Sequence, residues 1–110
     1  MSERERASRV LQAARRVAEE SVAAEEMEGA APDADVESRL RRFRIAARQF
    51  LVVATACAEA GFSSESHRLR ALVSELQSAS DEVQKASVRR RYQRELERLA
   101  RVARGGTASA

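Results

Sequence analysis

Helix-breaking residues are scarce in this chain of 110 residues, and their positions limit the folds it can adopt. Glycine occurs only at positions 29, 61, 105 and 106, and Pro32 is the sole proline. The segments between these breaks are rich in alanine, arginine, glutamate and leucine, which are strong helix formers. A β fold needs turn residues at short intervals, so the pattern predicts an all-α protein, a small antiparallel bundle of three to four helices.

The length of the chain suits one domain with one modest core. We predict a single helical-bundle domain over residues 1–104 and a disordered C-terminal tail over residues 105–110, whose sequence is GGTASA. The chain has no tryptophan and only 4% aromatic residues, so alanine must fill much of the core. The helices are therefore expected to approach one another closely.

The first helix is predicted over about residues 3–28, followed by a loop over residues 29–34. Ser2 and Glu5 have the spacing of a capping box, in which each side chain satisfies a free backbone N–H of the other residue. Gly29 is suited to end this helix. The second helix is predicted over about residues 35–60.

The second helix contains the most apolar stretch of the chain, residues 45–62, where the only charged residues are Arg48 and Glu59. A membrane span is not expected, because the run is too short and carries a charge near its centre. A second apolar group on another side of the helix predicts a central helix that is covered on most sides. The main apolar stripe has heptad spacing and consists of Val36, Leu40, Phe43, Ala47, Phe50, Ala54 and Cys57.

Residues 62–104 contain neither glycine nor proline, so they could form one helix or two. Leu69, Leu72, Val73, Leu76 and Val83 share one face, whereas the apolar residues from Val88 onward share another. We favour a break near residues 78–82, which gives a third helix over about 64–79, capped by Ser63 or Ser64, and a fourth over about 81–104. In the alternative, the distal half packs on a second molecule.

This distal apolar face is also the candidate surface for self-association, because a short chain with so much apolar helix surface is expected to form a homodimer. The residues that would form the contact between copies are Val88, Tyr92, Leu96 and Leu99.

The C-terminal segment carries most of the positive charge. Residues 88–110 contain seven arginines against Glu95 and Glu97, in a chain whose net charge is +3. Such a row can contact an acidic protein or nucleic-acid phosphates. Nucleic acid is possible but not favoured, because the segment has no aromatic stacking platform and no helix-turn-helix signal. The candidate contact residues are Arg90, Arg94, Arg98, Arg101 and Arg104.

Four further residues are considered for a chemical role. Arg44 and Arg48 lie one helical turn apart and could clamp a small anion such as a phosphate or a dicarboxylate. Cys57 is the only cysteine, lies on the apolar stripe and is expected to be structural. His67 is the only histidine, and no nucleophile or pocket is recognisable beside it.

These observations predict a non-enzymatic protein–protein interaction module, a small regulator, adaptor or inhibitor that needs no cofactor or metal. The alternatives are a nucleic-acid-binding protein that uses the arginine-rich C-terminal helix, and a small-anion binder or enzyme at Arg44 and Arg48. The lone cysteine and the charged N-terminus favour a cytoplasmic location. The excess of arginine over lysine is typical of a GC-rich bacterial or phage genome.

Overall fold

Four α-helices follow one another with short connections in the computed structural model, which describes residues 1–28 and 36–105. They are α1 (Glu3–Glu28), α2 (Val36–Glu59), α3 (Ser63–Ser78) and α4 (Glu82–Ala103). The all-α prediction is confirmed, and each helix boundary lies within one residue of its predicted position. The predicted first loop, Gly29 as a helix end and the predicted tail beyond Gly105 lie outside the described residues.

The helices form an antiparallel ring in which each packs against its two neighbours: α1 on α2 and α4, and α3 on α2 and α4. Arg6 near the start of α1 donates a hydrogen bond to the Ala60 carbonyl just after α2, so α1 and α2 run in opposite directions. Gly105, which follows α4, lies against Arg4 at the start of α1. The α1–α2 side of the bundle is therefore opposite the α3–α4 side.

The break between α3 and α4 is confirmed and has a local cause. Ala79 leaves the helix in an extended conformation, with φ −68° and ψ 124°. Asp81 then caps α4, because its carboxylate accepts a hydrogen bond from the Gln84 backbone N–H at 2.8 Å. The Gln84 side chain in turn accepts one from the Ser80 backbone N–H at 2.6 Å. These reciprocal bonds start a new helix in a different direction.

The other two helix starts that the sequence identified differ in outcome. Glu5 N–H donates to the Ser2 hydroxyl at 3.1 Å, which confirms that contact of the predicted capping box. The prediction that Ser63 or Ser64 caps α3 is wrong, because the cap position is occupied by Phe62 and no side chain caps the helix. Phe62 instead packs its ring against the core, so apolar packing fixes this start.

The core lies along the axis of the ring, and all four helices contribute to it. Phe50 of α2 and Tyr92 of α4 stack across the bundle with ring centroids 4.4 Å apart. The predicted apolar stripes supply most of the core, as expected for amphipathic helices. Its most deeply buried large side chains are Val10, Val17, Val53, Leu69, Val88, Leu99 and Val102.

Three predicted core positions are exposed instead. Val36 and Leu40 of α2 are 61% and 48% exposed, and Val83 of α4 is 76% exposed. The cause at α2 is length, since α3 has 16 residues against 24 in α2 and ends before it can cover the first turns of α2. The prediction that α2 is a central helix is also wrong, because α2 occupies a corner of the ring like the other three helices.

Candidate functional site

Two arginines of the predicted row line a groove between α3 and α4, which we call the arginine groove. Arg94 and Arg98 enter it from α4, and Arg68 enters it from α3. Arg94 and Arg98 are four residues apart on α4, so they lie on one face of the helix. The groove has a volume of about 460 Å³ and is lined by Arg68, Ala71, Leu72, Glu75, Arg91, Arg94, Glu95 and Arg98.

The other members of the row lie outside this groove. Arg90, Arg101 and Arg104 are exposed on α4 and at its end. Arg101 already interacts with another group. The structure therefore divides the predicted row into a pair inside a groove and three residues on the open surface.

Two carboxylates in the arginine groove are already neutralised. Glu95 is 6% exposed and accepts two hydrogen bonds from Arg68, from Nε at 2.6 Å and from Nη2 at 3.1 Å. Such a fork between guanidinium and carboxylate is strong and directional. On the other side, Glu75 accepts from Arg91 with an ion-pair distance of 2.8 Å. Each acidic side chain thus holds one arginine in place.

Arg94 and Arg98 remain without an ion pair among the described residues, and this is the main electrostatic property of the groove. The two salt-bridged arginines, Arg68 and Arg91, line the same groove, together with the apolar residues Ala71 and Leu72. Two arginine side chains in one groove can bind two carboxylates or one doubly charged anion.

Glu95 has a structural role in the groove. Its side-chain hydrogen bond with Arg68 is the main reason why the pKa of Arg68 is raised. Arg68 also contacts Glu65 at 3.1 Å. A buried carboxylate without a cation is costly, so Arg68 is the residue that allows Glu95 to lie inside the bundle.

The predicted anion clamp at Arg44 and Arg48 is not assembled as expected. Both residues are exposed, and Arg48 is engaged by Glu20 of α1 at 2.8 Å. They lie beside a second groove, the α2 groove, which is open and mostly apolar, with a volume of about 640 Å³. Its lining residues are Ala13, Phe43, Arg44, Ala47, Arg48, Leu51, Val52, Thr55, Ala56 and Glu59.

The residues predicted to join two copies are mostly inside a single copy. Val88, Tyr92 and Leu99 are 2%, 3% and 1% exposed, and Leu96 packs partly buried against the same core. The kink at residues 79–81 turns this face of α4 inward, so these residues close the bundle. The prediction that they form an exposed surface for self-association is therefore wrong, because they lie in the core of one copy.

Cys57 is fully buried, as predicted, with 0% exposure. Burial raises its pKa to about 12, and the nearby carboxylates of Glu65 and Glu95 act in the same direction, against an opposing effect of Arg68. The nucleophilic thiolate is thus disfavoured at neutral pH. His67 is exposed on α3.

Sequence reasoning missed the groove residues Arg68, Glu75, Arg91 and Glu95. A signal existed for Glu95, because it lies three, four and seven residues from the buried positions Tyr92, Leu99 and Val88. This spacing places it on the apolar face of the helix. A carboxylate at such a position indicates a buried ion pair.

Over residues 1–28 and 36–105, no group of three histidine, cysteine, aspartate or glutamate side chains could hold a metal ion. None of the four helices is both long enough and apolar enough to cross a membrane. Comparisons of the chain with protein-family models, curated proteins and solved structures find no match.

Proposed function

We propose that the chain is a non-enzymatic binding module that holds an acidic segment of a partner protein in the arginine groove. The observation that carries this proposal is the charge state of the groove. Arg68 and Arg91 are paired with Glu95 and Glu75, whereas Arg94 and Arg98 have no ion pair among the described residues. A partner's carboxylates would complete the pairing of these two guanidinium groups.

The lining of the groove favours a peptide over a nucleic-acid backbone. Glu75 and Glu95 already pair with Arg91 and Arg68, so the groove offers a phosphate backbone only Arg94 and Arg98, too few cations to follow a continuous row of phosphates. Ala71 and Leu72 offer apolar contact to side chains that alternate with acidic ones. The aromatic rings of Phe50 and Tyr92 are buried in the core, so they give no stacking platform for bases.

The exposed part of the arginine row has a different effect. Arg90 and Arg104 lie on the open surface near the groove and extend the positive potential along α4. Such surface charges speed the encounter with an acidic partner more than they stabilise the complex. Association is therefore expected to be faster at low salt, with the groove itself setting the dissociation rate.

The proposal is tested by selecting binders from a library of random displayed peptides. We expect the recovered peptides to be enriched in aspartate and glutamate next to apolar residues. Arg94→Gln/Arg98→Gln should weaken binding of a recovered peptide by about tenfold or more, since each lost charged hydrogen bond contributes roughly 1.5–3 kcal/mol. Fluorescence anisotropy measures both affinities.

Arg70→Gln/Arg89→Gln is the matched control, because it removes the same charge from exposed positions outside the groove that have no ion pair among the described residues. This control should change the affinity by less than about threefold. Recovered peptides without acidic enrichment, or equal loss in both double variants, would contradict the proposal. Tighter, salt-sensitive binding of a DNA duplex would support nucleic-acid binding instead.

A further inference from the structure

The α2 groove has a charge pattern that the proposed function does not use. Its centre is formed by Leu51, which is 39% exposed, together with Val52. Arg44 lies toward one end and Glu59 at the other. Neither of these two charged residues makes an ion pair among the described residues. An open apolar strip therefore lies between two charges of opposite sign that have no ion pair within the described part of the chain.

Glu59 is also unfavourably placed within its own helix. It is the last residue of α2, where the helix dipole is negative, and the last turn of α2 contains no basic residue. A cation from another molecule would be attracted both by the negative end of the helix dipole and by the Glu59 carboxylate. Arg44 lies fifteen residues earlier, about 22 Å away along the helix at ~1.5 Å per residue.

We infer that the α2 groove binds the α2 groove of a second copy, with the two helices antiparallel about a two-fold axis beside Leu51 and Val52. A two-fold contact requires that when one residue faces another, the reverse also holds. With the axis at this place, Arg44 faces Glu59 of the second copy and Arg48 faces Thr55. Leu51 then faces Val52, so the apolar centres meet and each end of the contact receives one ion pair.

The charge pattern favours a second copy of the chain as the occupant of the α2 groove. Positive and negative ends change places under the two-fold rotation, so the surface is complementary to itself. The same two helices aligned in parallel would place Arg44 beside Arg44 and Glu59 beside Glu59, which is repulsive. Ala47 and Ala56 are small enough to let the second helix approach closely. This interface replaces the one that the sequence placed at Val88 and Tyr92.

The size of the contact sets the expected strength. The groove follows α2 from residue 43 to residue 59, a length of about 25 Å. One helix pair of this length gives an interface at the small end of specific contacts, so we expect a dimer with a dissociation constant in the micromolar range.

Sedimentation velocity across a concentration series tests the dimer. Arg44→Glu and Glu59→Arg should each weaken it by about tenfold, because each places like charges together at both ends. The double variant Arg44→Glu/Glu59→Arg should restore the dimer, since the pattern is reversed but still self-complementary. Leu51→Lys should abolish it. Val83→Lys is the matched control, because Val83 is exposed on another helix, and should leave the dimer unchanged.

Disulfide trapping tests whether Leu51 lies at the contact between the two copies. Leu51→Cys lies beside the proposed axis, so mild oxidation should link two copies, whereas Val83→Cys should not link them. Cys57 is buried and does not compete. Circular dichroism checks that each variant keeps its helices. A wild-type monomer at every concentration, a dimer that tolerates Leu51→Lys, or a double variant that fails to restore association would each overturn the inference.

Discussion

Two side chains in the core illustrate how burial changes acid–base behaviour at the residue scale. Burial raises the pKa of the Cys57 thiol from its ordinary 9.0 to about 12, and that of the Tyr92 phenol from 10.0 to about 12. Cys57 also raises the pKa of Tyr92, since both groups would become negative in the same core. The Gln49 side chain lowers the pKa of Tyr92, but the effect of burial is larger.

Because these two pKa values are higher in the folded chain, the free energy of unfolding depends on pH. Below about pH 9 both groups are protonated in the folded and the unfolded chain, so their contribution is constant. Between pH 9 and about 12 the unfolded chain ionises first. The free energy of unfolding should therefore fall as pH rises through this window.

Urea unfolding at pH 7 and at several pH values above 9 measures the decline. Cys57→Ala/Tyr92→Phe removes both titrating groups, so the alkaline decline in its free energy of unfolding should be shallower than in wild type. The comparison uses slopes, because the double variant also loses packing at pH 7. An equally steep decline in wild type and variant would show that other groups cause it.

The residue scale also shows where sequence reasoning succeeds and where it stops. The burial of Cys57 follows from its place on an apolar stripe, and the structure confirms it. Glu95 occupies an equivalent place on α4, but a carboxylate is stable there only if a cation reaches it. That cation is Arg68, which lies 27 residues away on a different helix. Spacing within one helix gives no information on such a partner.

At the scale of the elements, one turn fixes the angle between α2 and α3. Gly61 has φ +87°, a conformation that side chains with a Cβ disfavour. Arg6 of α1 lies over this turn, donating to the Ala60 carbonyl at 2.8 Å with its guanidinium 5.6 Å from the centre of the Phe62 ring. A Cβ at Gly61 would come within 2.8 Å of Arg6 Nη1.

Gly61→Ala should lower the free energy of unfolding by about 1–2 kcal/mol, because it combines backbone strain with displacement of Arg6. Urea denaturation measures the change. Gly105→Ala is the control, since Gly105 also has a positive φ (+91°) but the nearest Arg4 atom would lie 3.5 Å from an added Cβ. In the Arg6→Ala background the cost of Gly61→Ala should shrink. Equal stability of Gly61→Ala and wild type would contradict this account of the turn.

The boundaries of the helices were largely predictable from the sequence, whereas the packing of one helix against another was not. Scarce breakers and the capping box at Ser2 gave the helix boundaries, because these signals act within a few residues. Apolar periodicity gave the buried face of each helix. It also predicted that Val36 and Leu40 are buried, since they continue the stripe of α2, but both are exposed. Whether a stripe is covered depends on the length of the helix beside it, and α3 is too short.

For the whole molecule, the ring order sets the relation between the two grooves. The α2 groove lies on the α1–α2 side and the arginine groove on the opposite α3–α4 side. A dimer joined through the α2 grooves would therefore leave both arginine grooves free and facing outward. One dimer could then hold two acidic segments of the same partner, and binding of a two-segment partner would gain strength by avidity.

The two outward-facing grooves predict an avidity effect that depends on the dimer contact. Two copies of an acidic peptide recovered from the library are joined by a flexible Gly-Ser linker long enough to span the dimer. The oxidised, disulfide-linked Leu51→Cys dimer should bind this bivalent peptide on the order of a hundredfold more tightly than the single peptide. After reduction, at concentrations where the dimer dissociates, the gain should disappear while affinity for the single peptide stays the same. Arg94→Gln/Arg98→Gln in the linked dimer should weaken binding of both peptides. If the bivalent gain persists in the reduced monomer, the two segments are held by a single chain and the opposed placement of the grooves does not determine how the partner binds.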